Sequence, residues 1–300
     1  MKAAATLRQI RRNRHCYLWI APFFVLMIVF QLYPTVYGFY LSLTKYGGIT
    51  PPEYIGFANY AKAFDDRYFW LSVKNMVVLW ALIVPARTLL ALVFAAVLNN
   101  GRMVGKRVYM GIVLLPYVTS AVVISLLFKI LLATEGGLVN VLLGNLLGLE
   151  PVRWLKSVDL SKPSVAIMNL WRMTGYFSIL MLAGMQRIPK SVDEAAVMDG
   201  ASGLRIFFKI TVPILVPEIF FVFMISTIWV LQNVADVMLL TGGGPLNSSL
   251  TSVLYIYQNA FEKSGKMGYA AALSFLLFVM ILLLSIFLVR RNYNKAEELK

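Results

Sequence analysis

The chain has 300 residues, of which 59% are hydrophobic and only 14% charged. A soluble domain carries roughly 25% charged residues, so a water-soluble globular protein is excluded. The formal net charge is +14, but no basic cluster is interleaved with exposed aromatics, which argues against nucleic acid as a partner.

In chain order, a basic stretch over 1–16 (Lys2, Arg8, Arg11, Arg12, Arg14) precedes the first apolar run. Six runs are long enough to cross a bilayer, which takes about 20 residues each. They lie near 17–43, 71–98, 108–133, 163–185, 210–234 and 267–290, and a tail over 291–300 follows. The predicted organisation is a basic N-terminus over 1–16, a six-span body over 17–290 with a polar loop at 186–209, and the tail. The first run is too long for a signal-peptide core, and no small-x-small site follows it. Tyr17, Trp19, Tyr33, Tyr37, Trp70, Tyr109 and Tyr117 sit at span ends, as an interfacial belt requires. The two termini and the loops carrying Arg102 and Lys106, and Arg187, Lys190, Arg205 and Lys209, hold twice the Lys and Arg of the remaining loops. That bias places both termini and the 186–209 loop in the cytoplasm.

Catalytic chemistry is nearly absent. One His (His15) and one Cys (Cys16) cannot build a zinc site or a disulfide, and no cofactor or metal is expected. Gly101–Arg107 falls one residue short of a phosphate-binding loop and lacks its hydroxyl, so ATP hydrolysis by that route is excluded.

The polar loop spells a short helix with its own signals. Ser191 is predicted as the cap, with Glu194 three residues on returning a bond to the cap's backbone. Asp193 and Glu194 suit the positive helix end, and Gly200 is the stop. About eight to ten residues are too few for a helix to stand alone in water. Its small face, Ala195 and Ala196, suggests docking into a groove on another protein.

Polar residues within spans are costly and tend to face the bundle interior or a cavity. The fourth span offers Asn169, Trp171, Arg172, Thr174 and Tyr176; the fifth offers Ser226, Thr227, Gln232, Asn233 and Asp236. Trp229 and Asn233 are four apart, and a ring beside an amide suits a sugar. The plain alternative for each is helix packing through a buried hydrogen bond. Arg172 is expected to pair with Asp236 or to snorkel, ahead of meeting an acidic sugar; Arg87 and Lys129 are expected to snorkel. After the fifth span, Gly242, Gly243 and Gly244 permit a tight loop that Pro245 stiffens, before a helix at about 251–262. Short helices and turns are expected at 50–66 and 134–162.

Three strings carry a family resemblance: Glu194-Ala195-Ala196 with Asp199-Gly200-Ala201 and Ile210-Thr211-Val212-Pro213; Thr241-Gly242-Gly243-Gly244-Pro245; and Leu115-Pro116-Tyr117 opening the third span. The chain resembles permease subunits of bacterial binding-protein-dependent ABC importers. It is most similar to the sugar permeases related to the maltose transporter's larger subunit, in six-span form. Val212 replaces the leucine of the first motif.

The resemblance implies an all-α, type I importer architecture without catalytic residues. Residues Ser191, Asp193, Glu194, Ala195, Ala196, Asp199 and Gly200 would form the coupling helix seated on an ATPase subunit. By resemblance the sugar contacts would fall on Asn169, Met173, Tyr176, Ser226, Trp229, Val230 and Asn233, with Met173 and Val230 departing from the relative; the polar residues Arg172, Gln232 and Asp236 of the same spans complete the expected substrate path. Gly242–Pro245 would face the binding protein. Expected partners are a homologous second permease in a heterodimer, two ATPase subunits, an extracytoplasmic solute-binding protein and membrane lipid. The rival reading is an ion-coupled secondary transporter of a small polar solute.

Overall fold

The computed structural model describes residues 14–99, 103–262 and 265–298, with side-chain environments for 18–99, 103–262 and 265–291. The basic residues Lys2 to Arg12, Arg102 and Lys300 lie outside the described residues, as do the side chains of His15 and Cys16. The described chain is mostly helical, and it divides into two compact units. One combines the chain up to Asp65 with Ile256–Leu276. The other combines Asp66–Tyr255 with the chain from Leu277 onward.

In the first unit, α1 (Arg14–Met27) continues through one wide, π-type turn (Ile28–Leu32) into α2 (Tyr33–Ser42). Within Leu18–Ser42 the apolar surface is left uncovered, as for a helix whose solvent is lipid. A two-residue antiparallel hairpin, β1 (Thr44–Lys45) with β2 (Glu53–Tyr54), and α3 (Ala58–Asp65) follow. Asn59 ties this corner together by donating to the carbonyls of Ser42 and Thr44 at 2.9 and 2.8 Å. A Cβ at Gly268 would fall 2.1 Å from the Thr44 carbonyl, so only glycine permits that approach.

The second unit is built on α4 (Arg67–Asn99) and α8 (Ser161–Met185). Ala91, Ala95 and Leu98 recur on one face of α4 and pack with Met173, Phe177, Met181 and Met185 of α8. Small residues on one helix admit large ones from the other, which is how membrane helices gain contact without a hydrophobic drive between them. Asp66 accepts from the Tyr68 and Phe69 N–H groups and so starts α4. Between these helices in sequence lie α5 (Lys106–Val118), α6 (Ala121–Leu131) and α7 (Leu138–Leu147). After α8 come α9 (Lys190–Met198), α10 (Gly203–Ile206), a π-type turn (Phe207–Thr211), α11 (Val212–Ile214), α12 (Val216–Gln232) and α13 (Ala235–Leu240). Later in the described residues come α14 (Ser252–Tyr257), a π-type turn (Gln258–Glu262) and the long α15 (Met267–Glu298).

The six expected runs are all helical, but two are broken. Among the described residues, four helices are long and apolar enough to cross a bilayer unaided; the count reaches six when each bent pair is one span. The third run bends by 92° between Val118 and Ala121, and the fifth by 68° at Leu215. Both breaks have a local cause. Ser120 caps α6 by accepting from the Val122 N–H, and Thr119 before it is extended. Pro217 cannot donate to the carbonyl four residues back, and its ring crowds that carbonyl. Leu115-Pro116-Tyr117 therefore ends the first half of the third run rather than opening the span.

Gly175 of α8 marks the tightest approach in this unit, where an added Cβ would lie 1.8 Å from the Val113 carbonyl of α5. Gly111, two residues before Val113 and so on the opposite face of α5, meets nothing within 4 Å. We expect Gly175→Val to lower the thermal midpoint of the purified protein strongly, by overpacking worth about 3 kcal/mol. Gly111→Ala should leave it unchanged or slightly raised. Equal midpoints for the two variants would contradict this packing.

Candidate functional site

The helix read in the polar loop is present, but its start differs from the expectation. Pro189, extended at ψ 136°, holds the cap position of α9 and makes no side-chain cap bond. Ser191 is thus inside the first turn, and the Ser191–Glu194 capping box does not form. Proline supplies a preset φ and lacks the N–H a cap would need to satisfy. The capping serine of the loop is Ser202, whose hydroxyl accepts from Arg205 N–H at the start of α10. The stop is as expected. Gly200 has φ +75°, its N–H reaches the Val197 carbonyl, and the Ala201 N–H reaches Ala196, both at 3.0 Å. That bond pair satisfies carbonyls the helix end leaves free.

Only Ala196 of this helix is buried, against its own chain. Ala195, Ser191, Val197, Met198 and Asp199 are exposed. The small face is therefore split: Ala196 seats the helix and Ala195 looks outward. Asp193 and Glu194 border a cavity of about 390 Å³ whose wall includes Asn99, Met185, Lys190 and Thr211.

The intramembrane polar residues converge on one carboxylate. Asp236, 1% exposed, accepts from Arg172 Nη2 at 2.7 Å, from Asn233 Nδ2 at 2.9 Å and from Asn169 Nδ2. Asn169 in turn accepts from Arg87 Nη2, and Arg87 Nη1 donates to Ser226 Oγ at 2.8 Å. The cluster joins α4, α8, α12 and α13. The expected Arg172–Asp236 pair is present. Arg87 does not snorkel: it is 1% exposed, with its guanidinium 5.0 Å from the Phe177 ring centre. Inside a membrane domain the partners Asn169, Ser226 and Phe177 are within its reach, whereas water is not. Its position mid-way along an apolar run was the signal that could have marked it. Lys129, by contrast, is exposed.

Asn233 and Trp229 are not on one helical face, because α12 ends at Gln232 and Asn233 turns extended (ψ 119°). Asn233 Oδ1 accepts instead from the Asp236 N–H at 3.1 Å, pinning the start of α13. Gln232 is exposed and outside the cluster. Trp229 belongs to an aromatic column: Tyr117 stacks on Tyr176 at 4.5 Å, Tyr176 on Trp229 at 5.4 Å, and Phe177 meets Trp229 edge-on at 5.6 Å. Tyr117, read from sequence as a belt residue, is its third ring. All three rings are half-buried. Such a column offers flat, weakly polar faces of the kind that C–H bonds pack against.

The glycine-rich loop is rigidly tied. Gly242 and Gly243 take φ of +63° and +86°, a region closed to most side chains, and a cis bond joins Gly244 to Pro245. Ser249 bonds back to Gly243, Gly244 and Thr241. Asn75 of α4 holds the Asn247 and Leu250 carbonyls at 2.9 and 3.1 Å, and Lys162 of α8 holds that of Ser248 at 2.7 Å. Leu246 is left at the tip, 88% exposed.

A family model described as "Binding-protein-dependent transport system inner membrane component" matches residues 87–296. The chain is 36% identical over 272 residues to the lactose transport system permease protein LacF of Rhizobium radiobacter, covering 90% of this chain and 91% of that protein. It is 33% identical over 267 residues to the trehalose/maltose transport system permease protein MalF of Thermococcus litoralis, covering 89% of each. In fold it is similar to a chain of a bacterial ABC transporter involved in import of the acidic polysaccharide alginate, with a TM-score of 0.84, 23% identity, and 97% and 99% of the two chains covered. The chain belongs to the family of inner-membrane components of binding-protein-dependent transport systems.

Proposed function

We propose that this chain is one of two permease subunits of an ATP-driven importer, and that its cargo is a sugar or oligosaccharide passed to it by an extracytoplasmic binding protein. The cargo class is supported by the relatives, which are named for lactose and for trehalose/maltose transport. The energy route is supported by α9. A nine-residue helix that buries one side chain and ends in its own glycine stop is a rigid plug, with Ala195, Asp193 and Asp199 available to a partner. That exposed, self-terminated helix is the observation that carries the reading. An ATPase subunit gripping it would move α9 as a body, and α8, separated from α9 by the four residues Gln186 to Pro189, would transmit the displacement into the spans.

In this reading both termini and α9 are cytoplasmic, and a homologous second permease supplies the other half of the pathway. The loop at Gly242–Pro245 faces the binding protein, its fixed backbone presenting Leu246 without ordering cost. The aromatic column supports a carbohydrate path better than the polar cluster does. Asn169, Ser226 and Asp236 spend their hydrogen bonds within the chain, whereas Tyr176 and Trp229 keep exposed ring surface. Sugar contact is therefore assigned to Tyr117, Tyr176 and Trp229, with Asn233 and Arg172 at its edge.

Two experiments test the assignment. In proteoliposomes holding the complete complex, Gly200→Val should distort the stop of α9 and cut ATP-driven uptake more than tenfold while ATP hydrolysis persists. Glu194→Trp should do likewise. Undiminished uptake in both variants, or uptake by this chain alone that a protonophore abolishes and ATP depletion spares, would refute the importer reading. Separately, Tyr176→Ala removes both stacking contacts of the column. It should lower uptake at limiting sugar about tenfold, equivalent to roughly 1.4 kcal/mol, with little change in maximal rate. An unchanged half-saturation would remove the column from the path.

A further inference from the structure

The cluster around Asp236 is unbalanced. The cluster holds two guanidinium groups and one carboxylate: Arg172 pairs with Asp236, Arg87 is linked to it only through Asn169, and among the described residues no carboxylate forms an ion pair with Arg87. The Nε of each arginine is buried and has no hydrogen-bond partner. Arg87 is 1% exposed, while the Arg172 side chain keeps 13% of its surface. Hence one excess positive charge and two unused charged donors lie where water does not reach them, with Arg172 as the side from which the cluster can be approached. An uncompensated charge in such surroundings is costly, and a second anion relieves it.

We propose that this cluster binds one oxyanion, a carboxylate, sulfonate or phosphate ester, carried by the cargo. The inference rests on the sugar-importer reading and deepens it: the transported carbohydrate is acidic, and Arg172 with Arg87 determines that specificity. Arginine suits the role because its planar fork presents several donors to an oxyanion and keeps its charge. Asp236 then acts as a positioning residue that fixes Arg172 and tunes the site: with it the site holds one net positive charge, without it two.

The test uses the full chain in the assembly that co-purifies with it, in detergent with a constant Tris-chloride background. Sodium glucuronate, sodium chloride of equal ionic strength, and glucose with that chloride are compared by their effect on the thermal midpoint. Glucuronate should raise the midpoint saturably, and the other two should not. Arg172→Gln brings the cluster to zero net charge and should weaken the apparent glucuronate affinity more than tenfold. Asp236→Asn should tighten it about threefold or more, a direction that a purely structural carboxylate would not produce. If either variant fails to assemble, the wild-type comparison decides alone. Equal stabilisation by chloride would show a free counter-ion and overturn the cargo assignment, and no stabilisation by glucuronate would overturn the site. ATP-driven uptake by the same assembly reconstituted into lipid vesicles separates the two claims: transport with a silent glucuronate titration sinks only the acidic-cargo inference.

Discussion

The membrane body of this protein depends on how one buried carboxylate is satisfied. Asp236 sits within a segment too apolar to solvate it, and it is held by Arg172, Asn169 and Asn233 together with its own bond to the Asn233 side chain. Each of these partners comes from α8 or from the break before α13. Arg87 extends the network to α4 and, through Ser226, to α12. Leaving any one charge unpaired in such a place costs several kcal/mol. The network is therefore directional glue where apolar side chains alone would let the helices slide, lipid being as apolar as leucine.

This arrangement gives α8 a particular standing. At its start, Ser161 and Lys162 are bonded to the Ser248 hydroxyl and carbonyl of the glycine-rich loop. In its middle, Asn169 and Arg172 hold Asp236, and Tyr176 holds the centre of the aromatic column. At its end, a short turn leads straight into α9. A single stiff helix thus connects the loop we assign to the binding protein, the ring surface we assign to sugar and the helix we assign to the ATPase. Gly175 keeps that helix tight against α5, where any side chain would force the two apart. Transmission through one rigid element fits a device in which cargo handover on one face and nucleotide on the other must act together.

Much of this was legible in the residues themselves. The six long apolar runs fall on helices, four of them long enough to span unaided and two of them bent pairs. Gly200 announced its positive φ, and the pairing of Arg172 with Asp236 was one of the two outcomes, beside snorkelling, that the cost of isolated charge favours. The misreadings share a physical origin in local competition. Ser191 offered a good cap, but Pro189 had already set the chain's entry angle. Trp229 and Asn233 share a helical spacing that counts only while the helix continues, and it stops at Gln232. Arg87 looked like a snorkelling cation because a single sequence does not show that Asn169, Ser226 and Phe177 surround it. Tyr117 was assigned to the interface for the same reason: its stacking partner is 59 residues away in sequence, on α8.

The central claim is that Arg172 and Asp236 act as a coupled pair that locks α8 to the break before α13. A double-mutant cycle on the stability of the purified assembly measures this directly, with Arg172→Met, Asp236→Leu and the two combined. Each single substitution strands a buried charge, and the double removes both, so the account requires the double variant to be more stable than the sum of the singles implies, by about 1–3 kcal/mol. Additive effects within about 0.5 kcal/mol would contradict it.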